Sequence, residues 1–246
     1  MKAIQYARSI LFQFLFYFTT TAMLVLWSPL LLMPRSWAMA AFRINARLEI
    51  FLLRVVAGVK LEVRGRENIV DGACLVASKH QSAFETFALM PQLRDPAYLM
   101  KKELFRIPFH GWFSYKFGMI PVARDQGAKA LREMLKAAQT RAAAGREIII
   151  FPEGTRRPVG AEPDYKTGVF LLYQALKLPC VPVALNSGVF WPRRTLLLRQ
   201  GTVVFEFLPP IPAGLPRAEF LARLEETIES ASNRLAAEAR SQLAPF

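Results

Sequence analysis

The hydrophobic and polar positions of this chain fall into distinct regimes. Residues 9–34 carry no charged side chain and are apolar almost throughout, with Tyr17 and Trp27 as rings suited to a membrane interface. As one helix this run would reach roughly 39 Å, against about 30 Å for the hydrocarbon core of a bilayer. It predicts a membrane-associated helix that either crosses the bilayer or, bent at Pro29 and Pro34, dips into one leaflet and returns. The apolar part of a cleaved signal peptide runs only about 7–15 residues. The segment is therefore expected to stay on the mature protein, despite the small-residue pattern Ala38-Met39-Ala40. Residues 37–56 mix Arg43, Arg47 and Arg54 with Phe42, Ile44, Leu48, Phe51 and Leu52, a basic amphipathic helix suited to the headgroup layer.

Beyond it, short β-rich runs recur at 59–63, 73–78, 97–100, 118–122, 147–151, 180–185 and 203–208. Helical patterns are predicted over 128–144, 167–176 and 216–243. The first stops at Gly145 and the second before Pro179. The third opens on Pro216 and spaces Phe220, Leu221, Leu224 and Ile228 along one face. Strands alternating with helices imply an α/β fold, a mixed, mostly parallel sheet flanked by helices. Two units are expected: a membrane-anchoring helical segment over 1–57 and an α/β domain over 58–246.

Composition sharpens this picture. With 246 residues, 53% of them hydrophobic, the chain has ample material for a core, and disorder is excluded. A net charge of +13, concentrated in the central domain beside the anchor, suggests anionic lipid or a phosphorylated substrate. Nucleic acid is not expected, because no recognition helix, aromatic-basic motif or zinc finger occurs. Basic residues after the apolar run (Arg35, Arg43, Arg47, Arg54) outnumber those before it (Lys2, Arg8), which puts the following domain in the cytoplasm. Cys74 and Cys180 lie in apolar runs and read as reduced core residues. With His80 and His110 the only histidines, no His/Cys metal site is expected.

Neither a phosphate-binding G-x-x-x-x-G-K-[S/T] loop nor a G-x-S-x-G nucleophile elbow is present. Four polar clusters remain, each at the end of a predicted strand, where sites form in open α/β sheets. The first is Lys79-His80-Gln81-Ser82-Ala83-Phe84-Glu85. Five residues rotate a helix by about 500°, so His80 and Glu85 cannot share one helical face. They can meet if His80 precedes the helix and Glu85 lies in its first turn, the carboxylate then holding one ring nitrogen and leaving the other as a base. Ser82 and Glu85 also form a capping-box pattern, and the two roles need not exclude each other. In the second cluster the apolar strand Gly118-Met119-Ile120-Pro121-Val122-Ala123 ends in Arg124, either a phosphate contact or a surface residue. In the third, Ile148-Ile149-Ile150-Phe151 runs into Pro152-Glu153-Gly154-Thr155-Arg156-Arg157, placing flexible backbone, a hydroxyl and two guanidinium groups at one strand end. The fourth, Val181-Pro182-Val183-Ala184-Leu185-Asn186-Ser187-Gly188, reads as a strand ending in a turn. His110, in Pro108-Phe109-His110-Gly111-Trp112, reads as part of a structural or membrane-facing loop rather than a second base.

Taken in order, a His-x-x-x-x-acid, a Gly…Arg strand, Phe-Pro-Glu-Gly-Thr-Arg and a Val-Pro-Val strand resemble the glycerolipid acyltransferase family over residues 74–191. Bacterial 1-acyl-sn-glycerol-3-phosphate acyltransferases fit best in size and in the apolar N-terminus. Tyr165-Lys166-Thr167-Gly168 resembles the segment that follows the third motif in that family. Two departures stand out: Glu85 replaces the usual aspartate, a feature shared with lipid A acyltransferases, and the second motif matches mainly in its glycine and arginine.

The resemblance implies acyl transfer from acyl-CoA or acyl-carrier protein to the sn-2 hydroxyl of lysophosphatidate, giving phosphatidate. His80 would be the base and Glu85 its partner. Glu153, Gly154, Thr155 and Arg156, assisted by Arg124, would form the acceptor's phosphate pocket. Neither metal nor other cofactor is implied, no covalent acyl-enzyme is needed, and Ser82 reads as a cap. The expected setting is the cytoplasmic face of a bacterial-type inner membrane, against an anionic phospholipid surface. Other acceptors (glycerol 3-phosphate, another lysophospholipid, an aminolipid) and a non-catalytic module binding anionic lipid are the alternatives.

Overall fold

Every one of those β-rich runs becomes a strand in the computed structural model, which describes residues 2–123 and 127–243. Arg124 lies outside the described residues. The strands are β1 (Val59–Arg64), β2 (Leu75–Ser78), β3 (Ala97–Lys101), β4 (Ile120–Val122), β5 (Ile148–Ile150), β6 (Cys180–Leu185) and β7 (Gly201–Phe207). They form a seven-stranded sheet in the order β1-β7-β6-β2-β5-β3-β4. The β6–β7 pair is antiparallel and the other described pairings are parallel, so the sheet is mixed and mostly parallel.

The central strands β2, β5 and β6 are buried along their whole length, which is why they read as unbroken apolar runs rather than alternating ones. The pleat divides their side chains between two cores. Val76, Ile149, Val181 and Val183 face one layer. Leu75, Ala77, Ile148 and Ile150 face the other. The first layer is covered by α1 (Lys2–Leu26), α2 (Arg35–Leu52), α3 (Phe84–Ala88) and α4 (His110–Phe117), through Phe12, Met39, Phe84 and Phe113. The second is covered by α5 (Gly127–Ala143) and α6 (Gly168–Leu176), through Met134 and Leu172. A one-turn helix, α7 (Ser187–Phe190), follows β6, and α8 (Arg217–Gln242) adds Phe220 to the second core. Cys74 and Cys180 are free and buried, one in each core.

The apolar N-terminal run is not one helix. α1 ends at Leu26, a short turn over Ser28–Leu31 carries Pro29, and Pro34 precedes α2, so the two helices form a hairpin. α1 alone remains long and apolar enough to cross a membrane by length and composition. One face of α1 is nevertheless docked on the α/β domain. Gln5 Nε2 donates to the Leu198 carbonyl at 2.7 Å, and Gln13 Nε2 to that of Leu196 at 3.1 Å. Between them, Ser9 Oγ accepts from the Leu198 N–H at 3.0 Å. These three polar residues recur every four positions and so line up on one helix face. The stripe continues in Phe12 and Phe16, whose rings pack edge-on against Trp191. Outward-facing Phe14, Tyr17 and Phe18 remain exposed.

Candidate active site

β2 lies between β5 and β6 and runs parallel to both, so the C-terminal ends of all three open at one edge of the sheet. That edge gathers three of the four polar clusters. The chain leaves β2 through Lys79 and His80 and turns into α3 at Phe84, placing Glu85 in the first helical turn. The return brings His80 Nδ1 to 2.9 Å from Glu85 Oε1. The same carboxylate oxygen accepts the N–H groups of Gln81 and Ser82, each at 2.6 Å. Ser82 Oγ in turn accepts from the Phe84 N–H at 3.2 Å. Glu85 thus starts the helix and holds the imidazole at once; the capping and pairing roles coexist.

The second Glu85 oxygen is bound from far along the chain: Ser187 Oγ donates to Oε2 at 2.8 Å. Glu85 is completely buried, a state an ionised carboxylate tolerates only with such a full set of donors. Gln81 Oε1 accepts from the Gly188 N–H at 3.0 Å and ties the same two loops together. Gly188 is required here, because a Cβ would sit 2.8 Å from Val159 Cγ2 and 2.9 Å from Gln81 Cβ. The fourth cluster is therefore more than a strand end: Ser187 and Gly188 complete the first.

The imidazole ring stacks on Phe151, with centroids 4.1 Å apart and planes 18° from parallel. Behind it, Lys79 is buried with its ammonium 2.8 Å from Glu153 Oε1 and 2.6 Å from Glu229 Oε1 on α8. Glu153 Oε2 accepts the His80 N–H at 3.2 Å, and the Tyr165 hydroxyl donates to Glu229 Oε1 at 3.0 Å. Burial pushes the Glu153 carboxyl above the ordinary glutamate range, with the hydrogen bond and charge of Lys79 pulling it back. Burial, then the charge of Glu229, holds the Tyr165 phenol well above its usual range, so it stays protonated and donates. Lys79, Glu229 and Ser187 were not singled out as functional by the sequence. Lys79 abuts His80, which offered a local signal; Glu229 and Ser187 are brought in only by folding.

His80 lines a cavity of about 1040 Å³ whose walls are mostly apolar, including Phe16 and Met23 of α1, Phe42 of α2 and Phe113 of α4. Glu153, Gly154 and Thr155 line the same cavity. Gly154 takes a positive φ of 66°, which turns the loop after β5 back toward the site. The Glu153 carboxylate itself is occupied by Lys79 and the His80 N–H. Arg156 follows on that loop outside the cavity wall, half-buried, its carbonyl accepting from Arg193 Nη1 at 3.1 Å. His110 begins α4, its Nδ1 3.2 Å from the Leu104 carbonyl, and also lines the cavity.

An imidazole held by a buried carboxylate in the wall of an apolar cavity, next to a glycine- and arginine-bearing loop, suits the activation of a hydroxyl beside a long-chain substrate. The acyltransferase family model matches residues 60–186 of this chain. A 1-acyl-sn-glycerol-3-phosphate acyltransferase from Pseudomonas aeruginosa is 36% identical over 184 residues, covering 75% of this chain and 72% of the relative. The human 1-acyl-sn-glycerol-3-phosphate acyltransferase alpha is 28% identical over 169 residues, 68% of this chain but 60% of that one. Among solved structures, the 1-acyl-sn-glycerophosphate (LPA) acyltransferase PlsC of Thermotoga maritima superposes with a TM-score of 0.77 over 96% of this chain and 100% of that one. At 20% identity that likeness speaks for the fold alone. On the family match and the Pseudomonas relative together, the chain belongs to the acyltransferase family.

Proposed function

We propose that this protein transfers a fatty acyl group from a thioester, acyl-CoA or acyl-carrier protein, to the sn-2 hydroxyl of lysophosphatidate, giving phosphatidate. The observation that carries this is the pair of half-buried His80 and buried Glu85, opening onto an apolar cavity that also meets the Gly154–Thr155 loop. The curated relatives named for the same reaction support it.

Glu85 already accepts two backbone N–H groups and a hydroxyl, so it meets His80 as an acceptor and Nδ1 carries the ring proton. Nε2 is then left with its lone pair. As the acceptor oxygen attacks the thioester carbonyl carbon, Nε2 takes its proton. When the tetrahedral adduct collapses, the C–S bond breaks and the imidazolium returns that proton to the leaving thiolate. Positioned bases of this kind contribute about 10²–10⁴-fold. Gly154, Thr155 and Arg156 are assigned to the glycerol-phosphate end of the acceptor, with Arg124 as a further cation. Glu153 serves that pocket indirectly, by fixing Lys79 and the His80 backbone. No metal or other cofactor takes part in this scheme.

The hairpin of α1 and α2 is assigned to the membrane, lying in the surface of one leaflet. Its support is the exposed apolar face of α1, joined by exposed Trp37, Ile44 and Phe51 of α2 and Trp112 of α4, while the opposite face of α1 is docked on the domain. The excess of arginine after the apolar run supports the cytoplasmic face of an inner membrane. Amphiphilic acceptor and product would then enter and leave through the leaflet.

Labelled acyl-CoA in mixed micelles with lysophosphatidate, glycerol 3-phosphate or no acceptor tests the reading, with acyl-carrier protein as the second donor. Phosphatidate formed by the unmodified protein and not by His80→Ala is the expected result. Equal product from both would remove His80 as the base, and no transfer with any donor would remove the reaction.

A further inference from the structure

The cavity contains a polar station that acyl transfer as described does not use. Glu49, on α2, is 1% exposed and lines the cavity wall together with Asn45 and Thr20. Asn45 and Glu49 are four residues apart and share one face of α2. Across the hairpin, Thr19 Oγ1 donates to Glu49 Oε1 at 2.5 Å and Thr20 Oγ1 to the same oxygen at 3.3 Å. The other carboxyl oxygen, Oε2, is buried with no hydrogen-bond partner, and so is Asn45 Oδ1. A third unpartnered atom, the Tyr98 hydroxyl, sits beside Phe151, ring centroids 6.3 Å apart, and so belongs to the catalytic end.

Two buried polar atoms left without a partner are costly, at about 1–3 kcal/mol each, unless something supplies one. The surroundings are hydrocarbon: Phe16 and Met23 lie about one turn from Thr20 on α1, and Phe42 lies beside Asn45 on α2. A group reaching this station must travel on an alkyl chain. We propose that Asn45 and Glu49, with Thr20, form a binding station for a hydroxyl carried on the acyl chain, so that the cavity selects hydroxylated over plain chains. A hydroxyl donates one proton and accepts another, so it can donate to Asn45 Oδ1 while accepting from a protonated Glu49 Oε2. Burial pushes the Glu49 carboxyl above the ordinary range, against the opposing hydrogen bonds of Thr19 and Thr20, which favours the protonated form that can donate to such a hydroxyl. The glycerol and phosphate of an acceptor are excluded from this wall by its apolar surroundings and are assigned to the Gly154 loop. The inference rests on the acyl-transfer reading for its biological sense but not for its test.

Displacement of a fluorescent fatty acid from the full-length protein in detergent would compare octadecanoic acid with its monohydroxy isomers, the hydroxyl moved along the chain. At least one isomer should bind about tenfold more tightly than the plain acid, the worth of one buried hydrogen bond. Asn45→Leu and Glu49→Leu should each bring that ratio close to one. Should Glu49→Leu not fold, Asn45→Leu leaves the bridge from Thr19 to Glu49 in place and decides the matter. Equal binding of all isomers, or a preference that survives both substitutions, overturns the station and leaves Glu49 and Asn45 as partners for each other or for water. The same chains as CoA thioesters with lysophosphatidate separate the two readings. Transfer without hydroxyl preference overturns the station alone. Hydroxyl-selective binding with no transfer to any acceptor supports the station and overturns the proposed reaction.

Discussion

At the scale of single residues, the acid that holds His80 is more heavily engaged than the base itself. His80 has one side-chain partner and a stacking face, whereas Glu85 receives four hydrogen bonds while fully buried. Removing His80 should leave the fold intact and cut turnover by about 10²–10⁴-fold. Removing the Glu85 carboxylate by Glu85→Ala should lose most activity, and Glu85→Asp should keep an appreciable part, since its carboxylate can still reach the ring. Ser187→Ala takes one donor from a buried carboxylate, at about 1.5–3 kcal/mol. It should lower kcat by tenfold or more with little change in KM, a split that steady-state kinetics would read. Burial pushes the Cys74 thiol up to about 12 and the Cys180 thiol higher still. Neither should react with maleimide in the native protein at neutral pH, and both should react in denaturant; native labelling would mean an open core.

Glu49 gives a pH dependence whose sign follows from its shift. Its folded carboxyl is raised, so the folded protein retains a proton that the unfolded chain releases. The Glu49 contribution is fully present below the ordinary glutamate range and is lost as pH rises through the raised value. Glu49→Gln should remove that loss, so the difference in Tm between variant and parent should move in the variant's favour from acidic toward neutral pH. A difference that stays constant with pH would contradict the shift.

At the scale of elements, α8 does more than cover the sheet. Glu229 reaches from α8 to Lys79, which also holds Glu153, so the C-terminal helix, the loop after β5 and the loop bearing His80 meet at one ammonium. Lys79→Met would leave buried Glu153 and half-buried Glu229 without their shared cation and should destabilise by about 3–5 kcal/mol, as breaking buried ion pairs does. Adding Glu229→Gln should restore part of that loss. Thermal unfolding of the two single variants and the double variant would measure the coupling, and strict additivity would show that the groups do not interact.

At the scale of the whole molecule, the question is how the α/β domain would meet the amphiphilic substrates proposed for it. The docked and exposed faces of α1 divide the helix lengthwise, which suits a helix lying in the surface better than one crossing the bilayer alone. Phe14→Glu together with Phe18→Glu should release the protein from vesicles containing anionic lipid and lower transfer to vesicle-borne acceptor. Transfer to a short-chain, water-soluble acceptor should persist. Undiminished vesicle binding by that variant would point to another membrane surface.

The strands and the long helices of the domain were legible because parallel strands buried on both faces must be apolar along their length, and that pattern is local. So was the approach of His80 to Glu85, since a loop entering a helix brings residues five apart together whatever the rest of the chain does. The residues at 153–156, proposed for the phosphate end of the acceptor, were marked by composition at a strand end. The apolar run, with Pro29 and Pro34, announced a lipid-seeking segment that either spans or turns back, but not its docking, because Gln5, Ser9 and Gln13 become a contact stripe only when the loop at 195–198 offers backbone partners. Ser187 and Glu229 carry no sequence signature, since a serine after a strand and a glutamate on a helix are ordinary. The sequence by itself determined the strands and long helices of the domain, the pairing of His80 with Glu85 and the apolar character of the N-terminal run. Tertiary structure alone decided which distant groups satisfy the buried charges and where the apolar cavity meets Glu49, because those depend on which strands lie side by side.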